Sequence, residues 1–157
     1  MITLLLRIVA VLIVLAICAI LWMAANSWYT SAKSTFNRDT QTFAPCPASP
    51  NCVSTQAAAS DSEHYIAPIP FTGTAEEAKA RLLALLQQMP RTKLLTDESN
   101  YIHVETRTAV MRFVDDVEFY IDNASQTIQF RSASRIGYSD MGTNRKRMEE
   151  IRARFAE

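Results

Sequence analysis

Hydrophobic and polar positions follow three regimes along this chain. Residues 8–25 carry no charge and are rich in Leu, Ile, Val and Ala, enough as a helix to cross most of a bilayer's hydrocarbon core. Residues 2–6 extend the run because Arg7 can snorkel to the headgroups, while Trp22, Trp28 and Tyr29 suit the opposite interface. From 26 to 63, Ser, Thr, Ala, Pro and Asn dominate without a sustained period, which predicts a stalk that becomes an ordered loop near its cysteines. Beyond that point helical and strand periods succeed one another.

A short strand is expected at 65–69, where Pro68 and Pro70 remove ladder donors and favour an edge. Thr74 and Glu77 make a Thr-x-x-Glu box that opens a helix. Ala78, Leu82, Leu85, Leu86 and Met89 supply its buried stripe, and Pro90 stops it. Residues 93–96, 101–107, 111–122 and 127–135 alternate as four successive antiparallel strands, with turns at 97–100, at 108–109 and after Asn123. A second helix over 142–156 presents Met148, Ile151 and Phe155 to the sheet. The expected fold is α+β: an N-terminal transmembrane helix, then a curled antiparallel sheet of about five strands with two helices packed on one face, in the order β-α-β-β-β-β-α. The expected divisions are an anchor at 1–25, a stalk at 26–44 and one soluble domain at 45–157.

Pairing Asp122 with Thr127 sets Phe119 against Phe130 and Ile121 against Ile128 on one face, and Glu118 against Arg131 on the other. The same parity sets Asp115 opposite Ser134 on the apolar face, where a core residue is called for. A buried carboxylate must be paired or hydrogen-bonded, so Asp115 is either a structural lock, to Ser134 and the backbone after Gly137, or a functional acid. Arg145, Lys146 and Arg147 sit near a helix N-terminus, where the dipole disfavours positive charge. Asp140 can cap that helix, and Asp115 or Asp116 can reach Arg145 or Arg135. Alternatively, Arg135, Arg145 and exposed backbone N–H groups suit a phosphate or carboxylate.

Net charge is formally zero over 157 residues, so composition gives no support for nucleic-acid binding. The charge is unevenly placed: acidic residues prevail between Asp97 and Asp122, basic ones from Ser125 to the end, and the two halves complement each other. Cys46 and Cys52 flank two prolines and predict a small disulfide loop outside the cytosol. A metal site there, completed by His64 or His103, is the alternative, but the spacing is wide for common zinc knuckles. Arg7 and the α-amine, set against the more distant Lys33 and Arg38, favour a cytoplasmic N-terminus. A cleaved signal peptide is disfavoured, because Met23 precedes Ala25 where a small residue is needed.

G-x-S-x-G, the Walker loop, H-E-x-x-H and G-x-G-x-x-G are all absent from the sequence. A Cys52 and His103 nucleophile competes with the disulfide, and Asp115, Asp116 and Glu118 alternate in facing, which hinders joint cation binding. Asn123-Ala-Ser125 matches a glycosylation acceptor.

Three motifs, Cys46-Pro-Ala-Ser-Pro-Asn-Cys-Val-Ser54, Phe113-Val-Asp-Asp-Val-Glu-Phe119 and the run from Arg131 to Arg147, occur in order and closely resemble the uncharacterised domain of unknown function 1499. The resemblance covers roughly 46–155 and implies a shared fold and polar cluster, with no activity to carry over. The expected function is a membrane-tethered envelope domain, on the extracytoplasmic side, that binds a small anionic ligand or a protein partner. The residues expected to carry it are Asp115, Asp116, Arg131, Arg135, Asp140, Asn144 and Arg145, without metal or cofactor. The alternatives are a hydrolase using Asp115 as general acid or base, and a structural accessory of a membrane complex.

Overall fold

The computed structural model describes residues 2–29, 32 and 34–157. Ile2–Tyr29 form one helix, α1, which contains no Pro or Gly to interrupt it. Over Ile2–Asn26 it is long and apolar enough to cross a membrane, and its Leu, Ile and Val side chains lie exposed, as lipid-facing groups would. The side chains of Trp28 and Tyr29, and Lys33 altogether, lie outside the described residues.

The rest of the chain is built on an antiparallel sheet. Cys52–Ser54 (β3), Ile69–Pro70 (β4), Thr92–Glu98 (β5), Tyr101–Arg107 (β6), Val114–Asp122 (β7) and Thr127–Ser134 (β8) assemble in the order β3-β8-β7-β6-β5, with β4 also on β8. Upstream, Phe36–Asn37 (β1) and Thr42–Phe43 (β2) form a separate two-stranded ribbon. The helix Ala75–Gln88 (α2) starts at Thr74 with both halves of the capping box formed. Gly73 precedes it at a φ of 89°, where a Cβ would stand 2.6 Å from the capping Glu77 carboxylate, so only glycine fits the entry. Thr143–Phe155 form α3. Leu82, Leu85 and Leu86 of α2 and Met148, Ile151 and Phe155 of α3 share one core with Ile102, Val104, Val117, Phe119 and Phe130 of the sheet.

The expected architecture, two helices on a curled sheet of about five strands, is corrected on two points: the described residues form three helices, counting α1, and the sheet is open with six strands. The sixth strand is β3. It is too short to show an alternating pattern, and it joins the sheet through Cys52 opposite Ala133 and Ser54 opposite Arg131. Because β3 and β4 both lie along β8, β5 is left at the far edge, and the sheet does not close. The β7–β8 register sets Phe119 on Phe130, Glu118 on Arg131 and Asp115 on Ser134.

The sheet's second face is covered as well. Phe36 and Phe43 of the ribbon pack on Tyr101 and Tyr120, with Phe36 stacked on Tyr101 at 5.0 Å between centroids. Residues 34–44, expected as part of a stalk, therefore lie against the sheet. Alternation in β6 and β7 thus separates two buried faces, one apolar and one polar.

Candidate functional site

Of the seven expected residues, Asp115 and Asn144 lie on the helix side of the sheet and Asp116, Arg131 and Arg135 on its outer face. On the helix side, Asp115 is almost wholly buried, with Ser134 Oγ donating to one carboxylate oxygen at 2.6 Å and Arg147 Nη2 to the other at 2.5 Å. Arg147 Nη1 donates to Asn144 Oδ1 at 2.6 Å, and Ser132 Oγ donates to the same oxygen at 2.6 Å. Asn144 Nδ2 reaches the Asn51 carbonyl at 3.0 Å, and Asn51 Nδ2 reaches the Gly137 carbonyl at 2.6 Å. The network clamps β7, β8, α3 and the disulfide loop together with its donors and acceptors matched.

On the outer face, Arg135 makes a two-pronged contact to Asp116, through Nε at 2.8 Å and Nη2 at 2.9 Å, and also reaches Glu105 at 3.2 Å. His103 Nε2 lies 2.9 Å from Asp116. Burial pushes the Asp116 carboxyl up, but the bonds from Arg135 and His103 outweigh it and hold the group below the usual carboxylate range. Glu118, fully buried, accepts from the Thr35 amide at 2.7 Å, the Phe36 amide at 3.2 Å, Ser34 Oγ at 3.2 Å and the Tyr101 hydroxyl at 2.7 Å, and from Thr35 Oγ1. Burial and the bond to Glu118 raise the Tyr101 pKa.

Because Glu118 is turned to the ribbon, Arg131 opposite it is left without a hydrogen bond from its guanidinium to any described residue. Arg131 is 8 % exposed, and its Nε has no hydrogen-bond partner among the described residues. Burial lowers the Arg131 pKa, an effect the charges of Glu118 and Asp116 oppose.

The remaining candidates hold loops. Asp140 accepts from the Gly142 amide at 2.9 Å and the Asn144 amide at 2.7 Å, capping α3. Arg145 Nη2 donates to the carbonyls of Glu63 at 3.1 Å and Tyr65 at 2.9 Å. Asp115 thus pairs with Arg147 instead of Arg145 or Arg135. Helix geometry explains the choice: Arg147 lies three residues from Asn144 and four from Ile151, on their buried side, and Arg145 does not. The cysteines are joined, Cys46 to Cys52. No group of three His, Cys, Asp or Glu side chains that could hold a metal occurs among the described residues, and no catalytic grouping is evident there.

A groove of about 340 Å³ opens beside the Asp115 network, between the end of α2, the β5–β6 end of the sheet and the start of α3. Arg91, Arg107, Lys146 and Arg147 line it, with Glu150 as its acidic member. Arg147 is committed to Asp115, and Arg107 touches Glu105 at 3.1 Å. Lys146 makes no ion pair among the described residues, and Arg91 uses only Nε, on the Arg107 carbonyl. In the groove wall Thr106 is 5 % exposed, and its hydroxyl has no hydrogen-bond partner among the described residues. Sequence reasoning missed Thr106, Arg91 and Arg107 as a group because they come from different strand ends. The signal available was parity, which places Thr106 beside Asp115 on the helix-facing side.

Over residues 42–155 the chain matches the family described as "Protein of unknown function (DUF1499)", and it belongs to that family. Comparison with curated proteins and with solved structures finds no match.

Proposed function

We propose that this is a membrane-tethered envelope domain, held by α1 with its soluble part outside the cytosol, that binds a small anionic ligand bearing a phosphate or carboxylate in the Lys146 groove. The tether rests on the length and apolarity of α1, and the side of the membrane on the Cys46–Cys52 bond, which persists in oxidising compartments. The observation that carries the ligand reading is the Thr106 hydroxyl, buried without a hydrogen-bond partner among the described residues in the wall of a groove whose cations outnumber its one carboxylate. A buried hydroxyl left unmatched costs about 1–3 kcal/mol, which a ligand oxygen would recover. Among the expected residues, Asp115 and Asn144 act behind the groove by fixing Arg147.

The test is calorimetric titration of the full chain in detergent micelles with pyrophosphate and with citrate. Thr106→Val should weaken binding of the better probe at least about tenfold while leaving the melting temperature equal or higher. Lys146→Ala should weaken it similarly. Binding by neither probe, or binding indifferent to both substitutions, overturns the groove.

A second reading rests on Arg131, whose Nε is the corresponding orphan on the outer face. It would take the same ligand chemistry there. Loss of binding in Arg131→Met with retention in Lys146→Ala would favour it.

A further inference from the structure

Two loops at one end of the sheet carry an unusual surface. Between residues 34 and 157 the exposed large apolar side chains are Leu94 and four others: Val110 and Met111 in the β6–β7 loop, Tyr138 and Met141 in the β8–α3 loop. Val110 is 85 % exposed, Tyr138 76 % and Met141 89 %. The loops are neighbours, since the Arg135 amide donates to the Val114 carbonyl at 3.1 Å, where the first loop ends and the second begins. Concentrated apolar exposure of this kind marks a contact surface, whereas scattered exposure does not.

The course of the chain from α1 says what that surface meets. Arg38 pairs with Glu98 at the end of β5, the Phe36 ring packs on Tyr101 and Tyr120, and Ser34 and Thr35 bond Glu118, so the segment, traced back from Arg38 toward α1, moves from the β5–β6 turn as far as Glu118. Val114 is the end of β7 from which the apolar loops project, and the Asn123 turn is at the other end. The link from Tyr29 to Ser34 spans at most about 19 Å. The domain is therefore held within reach of the bilayer that α1 enters, and its concentrated apolar side chains lie at the end of β7 toward which the segment heads. Lys146, without an ion pair among the described residues, lies close to this surface, in the groove whose rim includes Thr108 and Ala109 of the same β6–β7 loop.

We infer that the 108–113 and 135–142 loops form a second membrane contact, with Val110, Met111, Tyr138 and Met141 entering the interface of the same bilayer and seating the domain on it in one orientation. This docking stands apart from the groove reading: it requires no soluble ligand, and a failed pyrophosphate titration leaves it intact.

The experiment uses the full chain with Cys18→Ser, reconstituted in phosphatidylcholine vesicles containing phosphatidylglycerol, with the disulfide kept oxidised. A fluorophore is placed at Val110→Cys, Met141→Cys or Asn123→Cys and quenched by nitroxide-bearing lipids. Quenching at positions 110 and 141 should exceed that at 123 at least about twofold. With the fluorophore at Tyr138→Cys, adding Val110→Asp and Met141→Asp should lower its quenching toward the value at 123. Equal quenching at all positions, stronger quenching at 123, or no response to the paired aspartates overturns the proposal.

Discussion

Arg147 Nη2 donates to Asp115 Oδ2 across 2.5 Å, joining the first turns of α3 to the start of β7 with both side chains at least nine-tenths buried. An ion pair so placed is not in itself proof of stability, because desolvation offsets much of the attraction. Removing one partner, however, strands the other as a largely buried charge. Asp115→Ala should therefore destabilise the domain by about 3–5 kcal/mol, and Arg147→Met by a similar amount. The double substitution should cost less than the sum, because the second removes a charge the first had stranded. Urea titrations followed by near-ultraviolet circular dichroism check this. Arg145→Ala, which loses bonds to loop carbonyls at a more exposed position, should cost less than either. A wild-type midpoint for Asp115→Ala would remove the lock.

His64 gives the fold a pH dependence. Its Nδ1 lies 2.7 Å from the Asp61 carboxylate and its Nε2 3.3 Å from the Ser49 carbonyl, an arrangement that both nitrogens complete as donors when the ring is charged. The hydrogen bond to Asp61 raises the His64 pKa against the opposing effect of burial. A raised folded-state value means that the contribution is fully present below the unfolded value of about 6.5 and is lost as pH rises through the folded value above it. Asp61 shifts the other way, lowered by the same bond, so its share is lost only as pH falls through its own depressed value. Stability should thus decline across the neutral range, and His64→Gln should flatten that decline. Urea midpoints between about pH 5.5 and 8 measure both. A parallel slope in the variant would assign the decline elsewhere.

The sequence made some of this legible and hid the rest for physical reasons. Phe119 on Phe130 and Ser134 on Asp115 follow from strand parity, because a one-residue slip would turn every side chain to the wrong face. Thr74 and Glu77 announce α2 because their spacing is itself the cap. β3 is invisible to pattern, since three residues show no period and its place depends on the disulfide bond and on β8. The Arg147 pairing was readable from its spacing to Asn144 and Ile151, but runs of adjacent cations conceal which one turns inward. What alternation could not show is that the polar face would be covered. That depends on Glu118 meeting residues more than eighty positions away, half of the bonds coming from backbone amides that carry no sequence signal.

That contact supports the last prediction. Glu118 is fully buried, and its carboxylate accepts two backbone amides, two hydroxyls of residues 34 and 35 and the Tyr101 hydroxyl. Burying a carboxylate is costly unless its oxygens are saturated with donors, and here the segment leading from α1 supplies most of them. The same bonds fix Thr35 and Phe36, and through Phe36 the aromatic cluster with Phe43, Tyr101 and Tyr120. Glu118→Gln keeps the shape but offers one acceptor oxygen where two were used, and places an amide among donors. The Thr35 and Phe36 amides should then exchange with solvent at least about tenfold faster, with little change in the helix-facing core at Phe119 and Phe130. Protease cleavage between α1 and β1 should rise in parallel. Hydrogen exchange read by mass spectrometry on the full chain in micelles compares the two regions directly. Faster exchange spread evenly over both faces would mean that Glu118 supports the whole sheet, and unchanged exchange at Thr35 and Phe36 would mean that the ribbon is held by its aromatic rings alone.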